Sequence, residues 1–95
     1  MIVLIAKNTF KKENVEKFLA FAPKLVEGTR QEAGCIYYDL VRAKNEENTF
    51  YFVEKYVDQT AVDIHNASEY FKTYVPIMRE LRESSELILC EEVEF

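Results

Sequence analysis

Apolar and polar positions alternate from the first residues. In IVLIAKNTF, Ile2, Leu4, Ala6, Asn8 and Phe10 share one face of an extended chain, and Val3, Ile5, Lys7 and Thr9 share the other. Both faces begin apolar, which predicts a strand with neighbours on each side. Asn14 is placed to cap a helix in which Val15, Phe18, Leu19, Ala22, Leu25, Val26 and Thr29 recur at helical spacing. Pro23 lies inside this helix and should kink it or remove a hydrogen bond. The segment EAG ends it, with Gly34 expected in the left-handed conformation. Two further strands are predicted in CIYYDLVRA and TFYFVEKYV, joined by the polar loop KNEEN. Ile36, Tyr38 and Leu40 should share one face of the first, and Phe50, Phe52, Glu54 and Tyr56 one face of the second.

Asp58 is placed to cap a short helix through His65, and Ser68 to cap another that carries Phe71, Val75 and Met78 inward. Pro76 should break or bend that helix, and LILCEEVEF closes the chain as a strand. The order β-α-β-β-α-β is that of ferredoxin-like α+β folds, a four-stranded antiparallel sheet with helices on one face. The opposite face would carry Val3, Ile5, Tyr37, Val41, Tyr51 and Val53, an apolar surface that a soluble monomer seldom leaves open. A second copy packed sheet against sheet would cover it, so a homodimer is expected.

Composition narrows the function classes. Residues 1–95 are 48% hydrophobic and show no repeat or linker, so a single domain is expected. No apolar run is long enough for a membrane span, and MIVLIA lacks the basic leader of a signal peptide, so the reading is a cytoplasmic protein with no membrane partner. The net charge of −5, with basic residues scattered among acids, argues against a nucleic-acid partner. Cys35 and Cys90 fall on strands expected at opposite edges of the sheet, about 14 Å apart at a strand spacing near 4.8 Å, too far for a disulfide. One histidine and scattered carboxylates do not form a metal-ligand set.

The stretches MIVLIAKNTF, EAGCIYYDL, TFYFVEKYVDQTAVDIH and SEYF resemble the antibiotic biosynthesis monooxygenase family over nearly the whole chain. The most specific matches are Gly34-Cys35, Glu54 with Tyr56, Asp58, Ala61, His65, and Ser68 with Phe71. The resemblance implies a dimeric α+β barrel with a small-molecule cavity between sheet and helices in each protomer. It implies oxidation of a quinol or similar phenolic compound by dioxygen, with no metal or flavin cofactor. Alternatives within the resemblance are an isomerase of a small phosphorylated dicarbonyl of the autoinducer-2 type, a haem-degrading enzyme, or a noncatalytic dimeric binding protein. The haem branch would place its iron-binding histidine at Val75, which cannot ligate iron.

His65 and Asn8 are the expected catalytic pair. An imidazole with a pKa near 6.5 can move a proton at neutral pH, and an amide can donate to an oxygen that becomes anionic. His65 could equally be a packed histidine bonded near Ser68, and Asn8 a satisfied sheet-end amide. Tyr38, Glu54, Tyr56, Tyr70, Phe71 and Tyr74 are expected to line the substrate site. Glu54 could instead be a structural ion-pair partner, and the aromatics could be core or interface. Arginine or lysine at the cavity mouth would favour a phosphorylated substrate, and a mostly apolar cavity an aromatic one.

Overall fold

The computed structural model describes residues 1–95. Strand β1 (Ile2–Phe10) leads through a 3-10 turn (Lys12–Asn14) into helix α1 (Val15–Arg30). Strands β2 (Cys35–Arg42) and β3 (Thr49–Tyr56), helices α2 (Gln59–Asn66) and α3 (Glu69–Leu81), and strand β4 (Arg82–Glu91) follow. The sheet is antiparallel in the order β2-β3-β1-β4, so the strands bearing Cys35 and Cys90 are its two edges, and both thiols are free. The expected ferredoxin-like α+β architecture is therefore present.

The inward faces follow the alternation of the sequence. Leu4, Asn8 and Phe10 of β1 and Phe50, Phe52, Glu54 and Tyr56 of β3 are all buried. Helix α1 adds Phe18, Ala22, Leu25 and Thr29 from one stripe, and α3 adds Val75 and Met78. The Phe10 and Phe18 rings stack at 4.2 Å between centroids, with Phe50 edge-on to both. Such aromatic pairs contribute beyond their buried area, and they fill the end of the core away from α2.

Several local expectations give way to tertiary structure. Asn14 has helical dihedrals and makes no cap; its amide donates to the Leu81 carbonyl at 3.1 Å, tying the start of α1 to the end of α3. Both prolines lie within unbroken helices on exposed faces, where the carbonyl freed one turn earlier can turn to water, so Pro76 does not end α3. Ile36 does not share the face of Tyr38. The β2–β3 register shifts between Cys35 and Tyr37, which turns Cys35 toward the core and leaves Ile36 49% exposed. Strand β4 begins five residues earlier than its apolar run and stops at Glu91. Arg82 is already extended where α3 ends, and Ser84 and Ser85 pair with Thr9 and Asn8.

Gly34 is not left-handed, since no glycine has positive φ. It is small because a Cβ there would lie 2.4 Å from the Ala61 Cβ, where α2 crosses the start of β2. Gly34→Ala is expected to cost about 1–3 kcal/mol in urea unfolding as overpacking does, with much of the loss restored by adding Ala61→Gly. An unchanged midpoint for the single variant would contradict this tight crossing.

The outer sheet face is an apolar row flanked by charge. Val53, Ile5 and Ile88 lie side by side across β3, β1 and β4, with Lys7, Asp39, Lys55 and Glu86 around them. Ile88 is 43% and Val41 46% exposed.

Candidate active site

A cavity of about 370 Å³ lies between the inner sheet face and helices α2 and α3. Asn8, Tyr38, Phe52, Glu54, His65, Phe71, Val75 and Met78 are among its lining residues, and Arg79, Arg82, Ser85, Glu86 and Leu87 form its more exposed end. Each side chain arrives there for a local reason. Asp58 caps α2 by accepting from the Ala61 N–H at 2.9 Å, which sets the helix phase that buries Ala61, Val62 and His65. Ser68 caps α3 by accepting from the Phe71 N–H at 3.3 Å and directs Phe71, Val75 and Met78 to the same side. Strand alternation brings Asn8 and Glu54 from the floor.

His65 is 3% exposed and is held along one line of polar contacts. Its Nδ1 lies 3.3 Å from Glu32 Oε2, and its Nε2 3.9 Å from Glu54 Oε1, which also accepts from the Tyr56 hydroxyl at 2.7 Å. Glu32 comes from the turn after α1, and its side chain is only 8% exposed. A carboxylate at Nδ1 selects the tautomer that carries its proton there and leaves the Nε2 lone pair toward Glu54 and the cavity. Rings of Tyr38, Tyr56 and Phe71 surround the imidazole at 5.2–5.5 Å between centroids and fix its plane.

Burial governs the titration of this group. It pushes the His65 pKa down, against the opposing pull of Glu32, so the imidazole is neutral at pH 7. Burial pushes the Glu54 carboxyl up to about 7; the Tyr56 hydrogen bond opposes this and the Glu32 charge adds to it. The Tyr38 and Tyr56 hydroxyls are pushed up by burial and by Glu54, and both stay protonated.

Between pH 4.5 and about 7 the folded chain keeps the Glu54 proton that the unfolded chain releases. The stabilisation that this proton provides is present at low pH and is lost as pH rises toward 7. Relative to wild type, Glu54→Gln is expected to gain roughly 3 kcal/mol of unfolding free energy between pH 4 and pH 8. Urea titrations at the two pH values measure it, and parallel pH profiles for both proteins would contradict the buried carboxyl.

Asn8 is 1% exposed and lies on β1 opposite Phe50 and Ser85. Its Oδ1 accepts from Arg82 Nη1 at 3.0 Å, which orients the amide, while its Nδ2 makes only a 3.4 Å bond to the Ala6 carbonyl. One N–H therefore remains for a molecule in the cavity. The structure thus brings His65, Asn8, Tyr38, Glu54 and Phe71 to one cavity. The other three expected lining residues do not reach it. Tyr56 is wholly buried behind Glu54. Tyr74 stacks on Phe21 of α1, with centroids 5.3 Å apart and planes at 8°, and Tyr70 lies over Gly28, where a Cβ would meet its ring at 2.5 Å. Both tyrosines face α1 because they are offset from the Phe71, Val75 and Met78 stripe of α3.

Glu32, Arg79 and Arg82 are the residues that sequence reasoning missed. Glu32 meets His65 across 33 positions, and no spacing signals that contact. The two arginines, one on each side of the end of α3, could have been read as a cationic pair. Of the other basic residues that could stand at the mouth, Lys7 lines the cavity, whereas Lys72 and Arg42 do not; the Arg42 guanidinium lies 4.7 Å above the Phe50 ring. No three His, Cys, Asp or Glu side chains converge closely enough to hold a metal ion.

The family profile of antibiotic biosynthesis monooxygenases matches residues 1–76. The Bacillus subtilis (strain 168) protein named "Putative monooxygenase YcnE" is 42% identical over 81 residues, which cover 85% of each chain. The crystal structure of an antibiotic biosynthesis monooxygenase, 34% identical, superposes with a TM-score of 0.94 over 99% of this chain and 100% of its own. A protein from Shewanella oneidensis, 37% identical, gives 0.87 over 94% and 87%. The chain belongs to the antibiotic biosynthesis monooxygenase family.

Proposed function

We propose that the protein is a cofactor-independent monooxygenase that oxidises a quinol or similar phenolic molecule with dioxygen, and that it works as a homodimer. The observation that carries this reading is the line from Glu32 through His65 into an aromatic-walled cavity. A neutral imidazole whose Nδ1–H is held by a carboxylate presents Nε2 as a base. Removing the phenol proton gives a phenolate, which gives up electrons to dioxygen more readily than the neutral phenol does. The free Asn8 N–H lines the same cavity and can donate to a substrate oxygen that carries charge. Glu54, with a pKa near 7, can take or return a proton beside Nε2. The overall change balances without an external reductant: a phenol and dioxygen give a quinone and water, with the ring supplying all the electrons.

The apolar row of Val53, Ile5 and Ile88 supports the dimer, since burying it against a second copy stabilises at about 25 cal/mol per Å². The activity is tested with an oxygen electrode and a panel of naphthols and quinols. Uptake above the rate of spontaneous oxidation is expected for at least one compound, and none across the panel would count against the reading. No helix is long and apolar enough to cross a membrane.

A further inference from the structure

The two ends of the cavity differ in charge. At the inner end stand Glu54 and His65, with Glu32 behind the imidazole. At the outer end stand Arg79 and Arg82, although the chain as a whole carries seventeen acidic residues against twelve basic ones. Neither arginine belongs to any of the chain's ion pairs, so no carboxylate lies within 4.0 Å of either guanidinium. Lys7 and Glu86 also line the cavity, and they stand opposite each other in the β1–β4 ladder, so their charges offset one another. Arg82 is partly buried and spends one donor on Asn8, leaving the rest of its fork free. Burial and the neighbouring Arg79 charge both work against its cation. Two like charges gathered at one end of a cavity, neither in contact with a carboxylate, are favourably placed to receive an anion.

We propose that the phenolic substrate carries an oxyanion, a carboxylate or a phosphate ester, which seats on Arg79 and Arg82 while its ring lies among Phe52, Phe71, Val75 and Met78. An arginine fork matches the planar, bidentate geometry of such groups. Because Arg82 is hydrogen-bonded to Asn8, an anion seated on Arg82 lies close to the free Asn8 N–H. The phenol half of this statement rests on the oxygenase reading; the anion half does not. It also accounts for a cavity that is both aromatic-walled and cationic at its exposed end.

The test is isothermal titration calorimetry on the full chain under argon, with 1-hydroxy-2-naphthoate, 1-naphthyl phosphate and 1-naphthol as probes. At low salt, at least one anionic probe is expected to bind about tenfold or more tightly than 1-naphthol, as charge-assisted bonds allow. The tighter of the two identifies carboxylate or phosphate as the group recognised. The preference should shrink several-fold in Arg79→Met, an exposed position that leaves the core intact, and vanish in the Arg79→Met/Arg82→Met double variant. Equal affinity for all three probes, or a preference that survives in the folded double variant, would overturn the proposal. Oxygen uptake is read separately. Anion preference without uptake from any compound overturns the oxygenase reading alone, and uptake without anion preference overturns this inference alone.

Discussion

His65→Ala is expected to lower the turnover of a phenolic substrate by about 100-fold or more, with the fold and the oligomeric state unchanged. The loss comes from chemistry and not from packing, for a geometric reason. The imidazole is clasped on Nδ1 by Glu32, and its ring is held by three aromatic neighbours, so Nε2 is presented to the cavity without reorganisation. Alanine removes the base and leaves Glu32 facing a gap; Glu32 Oε1 already has no hydrogen-bond partner. Some destabilisation is therefore expected beside the kinetic loss, and circular dichroism together with light scattering separates the two. His65→Gln, which can still bond Glu32 but cannot take a proton near neutral pH, should restore stability without restoring turnover. Full turnover in a folded His65→Ala protein would reduce the imidazole to a packing role.

If the proposed homodimer packs sheet against sheet, Val53→Asp is expected to be a folded monomer. Val53 stands at the centre of the outer sheet face, between Ile5 on β1 and Asp39 on β2. A carboxylate there is opposite another carboxylate and cannot reach a cation on the adjacent strands directly across from it. In a two-fold interface the change occurs twice, so two added carboxylates would be buried in an apolar contact. A loss of several kcal/mol, or about a thousandfold in dissociation constant, is expected. Val53→Thr, nearly the same shape and uncharged, should remain dimeric at micromolar concentration. Light scattering on the three proteins measures this. A wild type that is monomeric there, or a Val53→Asp dimer as tight as the wild type, would contradict a sheet-to-sheet dimer.

What the sequence disclosed depended on periodicity. The inward faces of β1 and β3 were legible because alternation assigns Asn8 and Glu54 to the buried side without knowledge of their partners. The caps at Asp58 and Ser68 were legible because a helix start leaves the amide three residues on without a backbone acceptor, and a short Asp or Ser side chain accepts from it. The start of β4 was hidden, since RESSE lies at a sheet edge whose polar side chains carry no alternating signal. The shift at Cys35 was equally silent, because a bulge changes which residues face inward without altering composition.

The same limit applied to the site. His65 and Asn8 could be named as residue types suited to the chemistry, but their bonds to Glu32 and Arg82 span 33 and 74 positions and leave no local trace. Tyr70 and Tyr74 border the inward stripe of α3. Only the approach of α1, with Gly28 making room for the Tyr70 ring, turns them away from the cavity. Gly28 and Gly34 were visible in the sequence as small residues, yet what each makes room for is a tertiary fact.

The proposed oxygenation is tested most directly by a reaction in dioxygen labelled with ¹⁸O, using protein freed of metal and flavin and a phenolic compound that supports oxygen uptake. One labelled oxygen atom is expected in the quinone product and the other in water, with an incorporation rate about 100-fold lower in folded His65→Ala. A quinone without label, formed with hydrogen peroxide at a rate indifferent to His65, would contradict it.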